Sequence, residues 1–135
     1  MRFMMMIKGN KDSEAGVPPS PELMARVGEV TQEAMKSGVV VGTGGLMPSS
    51  RGAKIRVSGG KVTVIDGPFT EAKELIAGYA IIEAPSKEAA IEEGSRFMQV
   101  HADVLGPAYE GECEVRQMYS PDDAGPCNPD QLTNG

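Results

Sequence analysis

The sequence predicts an α+β domain, an antiparallel sheet with two helices on one face and a β-hairpin inserted midway. Three observations carry the prediction. Short β-branched or continuously apolar runs recur along the chain, as in Val62-Thr63-Val64-Ile65 and Phe3–Ile7, and such runs suit a pleated, half-buried surface. Two longer stretches space their apolar residues at helical intervals instead. The resulting order is strand, helix, two or three strands, helix, strand.

Phe3–Ile7 is apolar at successive positions, as expected of a central strand covered on both sides. Lys8–Asp12 closes it with turn chemistry. Ser20 is placed to cap the first helix, with Pro21 at the position where a missing N–H costs little. Leu23, Val27, Val30 and Ala34 form its apolar stripe, and Ser37-Gly38 ends it. Val39–Val41 is a second buried strand leading into Gly42-Thr43-Gly44-Gly45. Glycines after a strand invite a phosphate-cradle reading, but no Gly-Lys-Ser/Thr follows and no helix opens there. They read as a bend or bulge near a sheet edge.

Lys54–Val57 and Val62–Ile65 flank Gly59-Gly60 and form the hairpin. Asp66-Gly67-Pro68 stops its second strand, because proline has no N–H and glycine supplies unusual backbone angles. Thr70–Glu74 is read as about one helical turn capped by Thr70. The following strand puts Leu75, Ala77, Tyr79 and Ile81 on one face and Ile76, Gly78, Ala80 and Ile82 on the other. Ser86 caps the second helix, whose inner stripe is Ala90, Gly94, Phe97 and His101. Gly94 costs about 1 kcal/mol against alanine, so close packing on the sheet is its expected reason. Glu112–Tyr119 is the last strand.

These elements make a ferredoxin-like plan with a hairpin insertion over residues 1–119. Residues 120–135, rich in Pro, Asp, Gly and Asn, read as a flexible tail. Both sheet faces receive apolar residues, and a homodimer packing sheet to sheet is the simplest cover for the second.

Composition excludes several function classes. A net charge of −6, without clustered Lys and Arg and with no Trp, argues against a nucleic-acid surface, where counterion release and base stacking would be needed. Cys113 and Cys127 have no CxxC spacing, and the single His offers no cluster, so no metal site is expected. No cofactor fingerprint or nucleophile elbow is present, and any catalysis would be cofactor-independent proton transfer. The N-terminal apolar run of about seven residues is too short for a signal or a membrane span. The expectation is a soluble cytoplasmic protein with no membrane partner.

The chemistry-bearing candidates are few. His101, the one histidine, falls on the stripe side near the end of the second helix. There it acts as acid or base beside a carboxylate, or simply sits in the favourable field of a helix C-terminus. Asp66 is the carboxylate to pair with it; alternatively Asp66 bonds to nearby backbone N–H groups as a turn residue. Arg51, Arg56, Arg96 and Arg116 are guanidiniums available to hold a substrate anion, with Arg96 and Arg116 the chosen candidates. Arg116 is also two residues from Glu114 on the same strand face, where a surface ion pair is the ordinary fate. Tyr79 either presents its hydroxyl to a cleft or is a core ring with that hydroxyl at the rim.

Asp66-Gly67-Pro68-Phe69, followed by Thr70–Glu74 and the strand with Gly78-Tyr79, resembles the DGPF-domain branch of the YCII-related family. The resemblance extends through Phe3–Lys8, Gly42–Pro48 and Gly111–Arg116. It implies a dimeric ferredoxin-like (α/β-barrel-like) fold. YCII-type relatives are associated with a His–Asp pair. Asp66 matches the Asp, but their histidine lies on the first helix, where this sequence has none. Two functions follow as expectations. One is a cofactor-independent acid–base enzyme of lyase or isomerase type acting on a small metabolite. The other is a binding or regulatory module associated with an extracytoplasmic-function sigma factor, beside whose genes such proteins are often encoded.

Overall fold

The structure, a computed structural model, describes residues 1–120, the Lys73 side chain excepted. The tail expected over 120–135, with Cys127, lies outside the described residues but for Ser120. In chain order the elements are β1 (Arg2–Lys8), α1 (Lys11–Glu14), α2 (Pro21–Lys36), β2 (Val40–Gly45), β3 (Ala53–Ser58), β4 (Lys61–Asp66), β5 (Ile76–Glu83), α3 (Lys87–Leu105) and β6 (Cys113–Gln117). Single 3-10 turns occur at Ser49–Arg51 and Ala72–Glu74.

The main sheet runs β2-β5-β1-β6, with every neighbouring pair antiparallel, and β3 and β4 pair separately as a hairpin. This is the expected ferredoxin-like order, left open rather than closed into a barrel. β1 lies between β5 and β6, which accounts for its unbroken apolar run. Phe3 is paired with Ile82 and Gln117, and Met5 with Ala80 and Val115. That register sends Phe3, Met5, Ala80, Ile82 and Val115 to the face covered by the helices. Phe3 and Ile82, 1% and 0% exposed, centre a core completed by Met5, Ala84 and Ala90.

The helix ends follow local chemistry. The Ser20 hydroxyl accepts from the Leu23 N–H at 3.2 Å and that of Ser86 from Ala89 at 3.1 Å, satisfying donors that would otherwise be orphaned. A Cβ on Gly94 would lie 3.2 Å from Val115 Cγ2, so α3 does approach β6 closely.

Three local readings change. Lys11–Glu14 is a short helix rather than part of a turn, because Asn10 and Ser13 form a reciprocal capping box. The glycines after Val41 lie within β2 rather than beyond it; the strand is at the sheet edge and its register shifts between Val40 and Gly42. Thr70 does not cap the following turn, which Glu71 precedes with no side-chain cap bond.

The face opposite the helices carries Met4, Met6, Tyr79 and Ile81, all half-buried. Its margins are ionic: Arg2 pairs with Glu83, and Glu114 with Arg116 and, at 3.3 Å, with Lys8. The Arg116 hydrogen bond, then that of Lys8, holds the Glu114 carboxyl below its ordinary value, and the Arg2 hydrogen bond does the same for Glu83. Carboxyls depressed in the folded state contribute stability above their unfolded pKa and lose it as pH falls through the folded value. Stability should therefore decline below about pH 4, and Glu114→Gln should flatten that acid limb. Urea midpoints measured between neutrality and strong acid check this, and an unchanged limb in the variant would refute it.

Candidate functional site

No hydrogen bond or ion pair links the predicted site residues to one another. Asp66 is the exposed last residue of β4, and its carboxylate forms no hydrogen bond or ion pair with a described residue. His101 is half-buried on α3, with Nδ1 3.0 Å from the Phe97 carbonyl oxygen. An Nδ1–H donated to that carbonyl leaves Nε2 as the free ring nitrogen. The ring lies 4.9 Å from that of Phe97 and stacks on Tyr109 at 5.9 Å. No hydrogen bond joins Asp66 to His101. Arg116 is occupied by Glu114 on its own strand, the ordinary ion pair anticipated for it. Arg96 pairs with Glu93 one turn earlier on α3 at 3.0 Å. Tyr79 lies across Gly44 on the neighbouring strand, where a Cβ would come within 3.0 Å of its ring. Cys113 is half-buried, and burial pushes its thiol up, away from the thiolate a nucleophile needs.

The Asp66–Phe69 corner has a structural assignment instead. Gly67 donates its N–H to the Gly52 carbonyl at 3.0 Å, closing the base of the hairpin. A Cβ on Gly67 would collide with the Ser49 carbonyl. Ser49 donates its backbone N–H to Glu14 at 2.8 Å and its hydroxyl to the other carboxylate oxygen, while that hydroxyl accepts from the Phe69 N–H at 2.9 Å. Lys54, in β3, places its ammonium 4.3 Å from the centre of the Phe69 ring, a cation–π contact. The Gly67–Pro68 peptide is cis. The corner thus pins the root of the β3–β4 hairpin to α1.

A cavity of about 350 Å³ lies between the sheet and the helices. Val27, Val30 and Ala34 of α2 form one wall and Phe97 of α3 another, so the predicted α2 stripe is also a cavity wall. Gly45 is paired with Gly78 on adjacent strands, and with no side chain at either position the sheet leaves space beneath α2. Three polar side chains, Thr31, Thr43 and Glu93, belong to this otherwise apolar lining. Thr31 has no hydrogen-bond partner among the described residues, and only Glu93 Oε1 is engaged, by Arg96. The Thr43 hydroxyl, also in the lining, is already donated to the Tyr79 carbonyl at 3.0 Å. Sequence reasoning missed Thr31 and Glu93. The one available signal was their spacing, Thr31 four residues after Val27 and Glu93 four before Phe97, which sets both beside the inner stripes.

No group of three or more His, Cys, Asp or Glu able to hold a metal occurs among the described residues, and no described helix is long and apolar enough to cross a membrane. A curated relative, Uncharacterized protein R00369 of Rhizobium meliloti (strain 1021), is 30% identical over 70 residues, 52% of this chain. The chain spans 56% of that protein's length. The YCII-related domain matches residues 1–105, which takes in the sheet core, the hairpin with its pinned root and both walls of the cavity. On that match, the chain belongs to the YCII-related family.

Proposed function

We propose that this protein is a binding module for a small, largely apolar molecule carrying one hydrogen-bond donor. The observation that carries the reading is the cavity between α2, α3 and the sheet. Its volume, about 350 Å³, falls in the range of small-ligand sites, which are mostly apolar with a few convergent polar groups. Glu93 is acceptor-only when ionised, and its free oxygen favours a phenol, alcohol or amine over a carboxylate. Thr31 adds a hydroxyl able to donate or accept. The anion-binding role first assigned to Arg96 is here replaced by its ion pair with Glu93, which presents the carboxylate at the cavity margin.

The acid–base enzyme reading would need Asp66 and His101 to share a proton, and no hydrogen bond between them supports it. A sigma-factor partner rests on the family resemblance alone. We also place this module in a homodimer, because Met4, Met6, Tyr79 and Ile81 form an apolar face opposite the helices with no described element packed over it.

The test is calorimetric titration with phenol, benzylamine and benzoate, on the native chain and on Ala34→Leu. The expected result is saturable binding of phenol or benzylamine, weak or absent binding of benzoate, and loss of binding when leucine fills the cavity without lowering the melting temperature. At a hundredfold excess over Kd, ligand should stabilise the fold by about 2.7 kcal/mol. Equal binding of benzoate, or undiminished binding by Ala34→Leu, would overturn the reading.

A further inference from the structure

The cavity between α2, α3 and the sheet contains no Asp, Lys, Arg or His in its lining, and Glu93 is its single carboxylate. The charge that meets an entering molecule is therefore decided by Glu93 and by whatever offsets it. Arg96 does so from outside the lining. It lies three residues further along α3 and donates from Nη1 to Glu93 Oε1 at 3.0 Å. Side chains at that spacing are neighbours on a helix surface. The two ends of the pair stand in different surroundings, with the Glu93 side chain 21% exposed and that of Arg96 62%. The acid belongs to the cavity and the base to the solvent.

We propose that Arg96 sets the ligand class of the cavity: by holding one oxygen of Glu93 it offsets the carboxylate charge, so that the site takes an uncharged hydroxyl compound, a phenol or alcohol, in preference to an ammonium. The inference rests on the cavity reading and narrows its ligand. An ammonium entering an apolar cavity gives up its hydration, and an opposite charge is needed to offset that loss. A carboxylate without a partner would supply one. Paired as it is, Glu93 already shares its charge with a guanidinium, which repels a second cation through surroundings that screen less than water. A hydroxyl needs no counter-charge. It donates one hydrogen bond to Glu93 Oε2, which accepts none among the described residues. Such a bond to an ionised acceptor is stronger than one between neutral groups. The same oxygen keeps lone pairs with which to accept from the Thr31 hydroxyl, also without a hydrogen-bond partner among the described residues.

The position of Arg96 separates charge from shape. Its side chain forms no part of the cavity wall and none of the core cluster, and an exposed ion pair contributes little to folding. Removing its charge therefore changes what the cavity presents to a ligand while leaving the walls formed by Val27, Val30, Ala34 and Phe97 in place.

The experiment is calorimetric titration of the full chain at neutral pH with phenol and with benzylamine, which is protonated there, and its readout is the ratio of benzylamine to phenol affinity. The native chain should favour phenol, a result that needs no variant. Arg96→Met keeps an apolar stem and removes the charge. It should raise the ratio about tenfold or more, and the gain should shrink as salt is added. Arg96→Lys keeps a positive charge and should hold the ratio near its native value. Adding Glu93→Gln to Arg96→Met should abolish the gain, because the two substitutions act on one interaction. A native chain that prefers benzylamine, or a ratio that Arg96→Met leaves unmoved, would overturn the role of Arg96. The cavity reading would survive that outcome if phenol still bound and Ala34→Leu still abolished its binding. A native chain that binds neither phenol nor benzylamine would overturn the cavity reading, and this inference with it.

Discussion

Gly67→Ala is expected to release the hairpin from the body of the domain. The added methyl would occupy the space of the Ser49 carbonyl. That obstacle is main chain, fixed by the Ser49–Arg51 turn and by the Glu14 carboxylate, and cannot swing aside like the tip of a long side chain. Overpacking of this kind costs about 1–3 kcal/mol and sometimes more. The chain can escape most of it by breaking the Gly67–Gly52 and Phe69–Ser49 hydrogen bonds that join the hairpin root to the domain. Limited proteolysis reads the result, since trypsin sites at Arg51, Lys54, Arg56 and Lys61 lie in or beside the hairpin. Cleavage there should accelerate about tenfold for each 1.4 kcal/mol of lost anchorage. The main melting transition should move little, because the core cluster contains no hairpin residue. Ser49→Ala is the graded control. It spares the backbone and loses the hydroxyl between Glu14 and Phe69, a loss of about 1 kcal/mol. Equal protease resistance in Gly67→Ala and the native chain would show that the corner does not anchor the hairpin.

Phe3→Ala is expected to be the most destabilising single truncation of the sheet. The side chain is 1% exposed and lies where β5, β1 and β6 meet under the helices, with Ile82 directly opposite. Removing a buried phenyl ring costs about 3–5 kcal/mol, a large part of the 5–15 kcal/mol, roughly, that holds a domain together. Urea denaturation should show the midpoint fall with little change in slope. A loss below about 1 kcal/mol would mean that the core is not organised around this position.

How much of this was legible depended on how local each cause is. The hairpin could be read because Gly59-Gly60 between β-branched runs dictates a tight turn within a few residues. The caps at Ser20 and Ser86 were legible for the same reason, each satisfying an N–H three residues on. Gly94 announced a close approach, and the structure supplies Val115 as the neighbour. Gly67 could be recognised as special but not explained, since what it avoids is a carbonyl from a different part of the chain. The cavity was hidden more deeply. It exists because Gly45 falls opposite Gly78, and that register is decided by pairing between distant strands. Glu93, beside an inner stripe, has the pattern of an ordinary solvated helix residue. Residue type suggests an Asp66–His101 partnership, but Asp66 ends an inserted hairpin and His101 lies on α3, and no sequence signal states the distance between them.

The placement of β1 also bears on how the protein is made. Phe3–Ile7 is translated well before β5 and β6, the strands it pairs with, and the Arg2–Glu83 bond spans 81 positions. At about 5–20 residues per second, the ribosome needs several seconds to deliver both partners. Throughout that interval a run of phenylalanine, methionines and isoleucine waits without a strand on either side. Such a segment is a natural client for a nascent-chain chaperone, and the closing of long loops before the sheet can form makes slow, non-local folding the expectation for this topology.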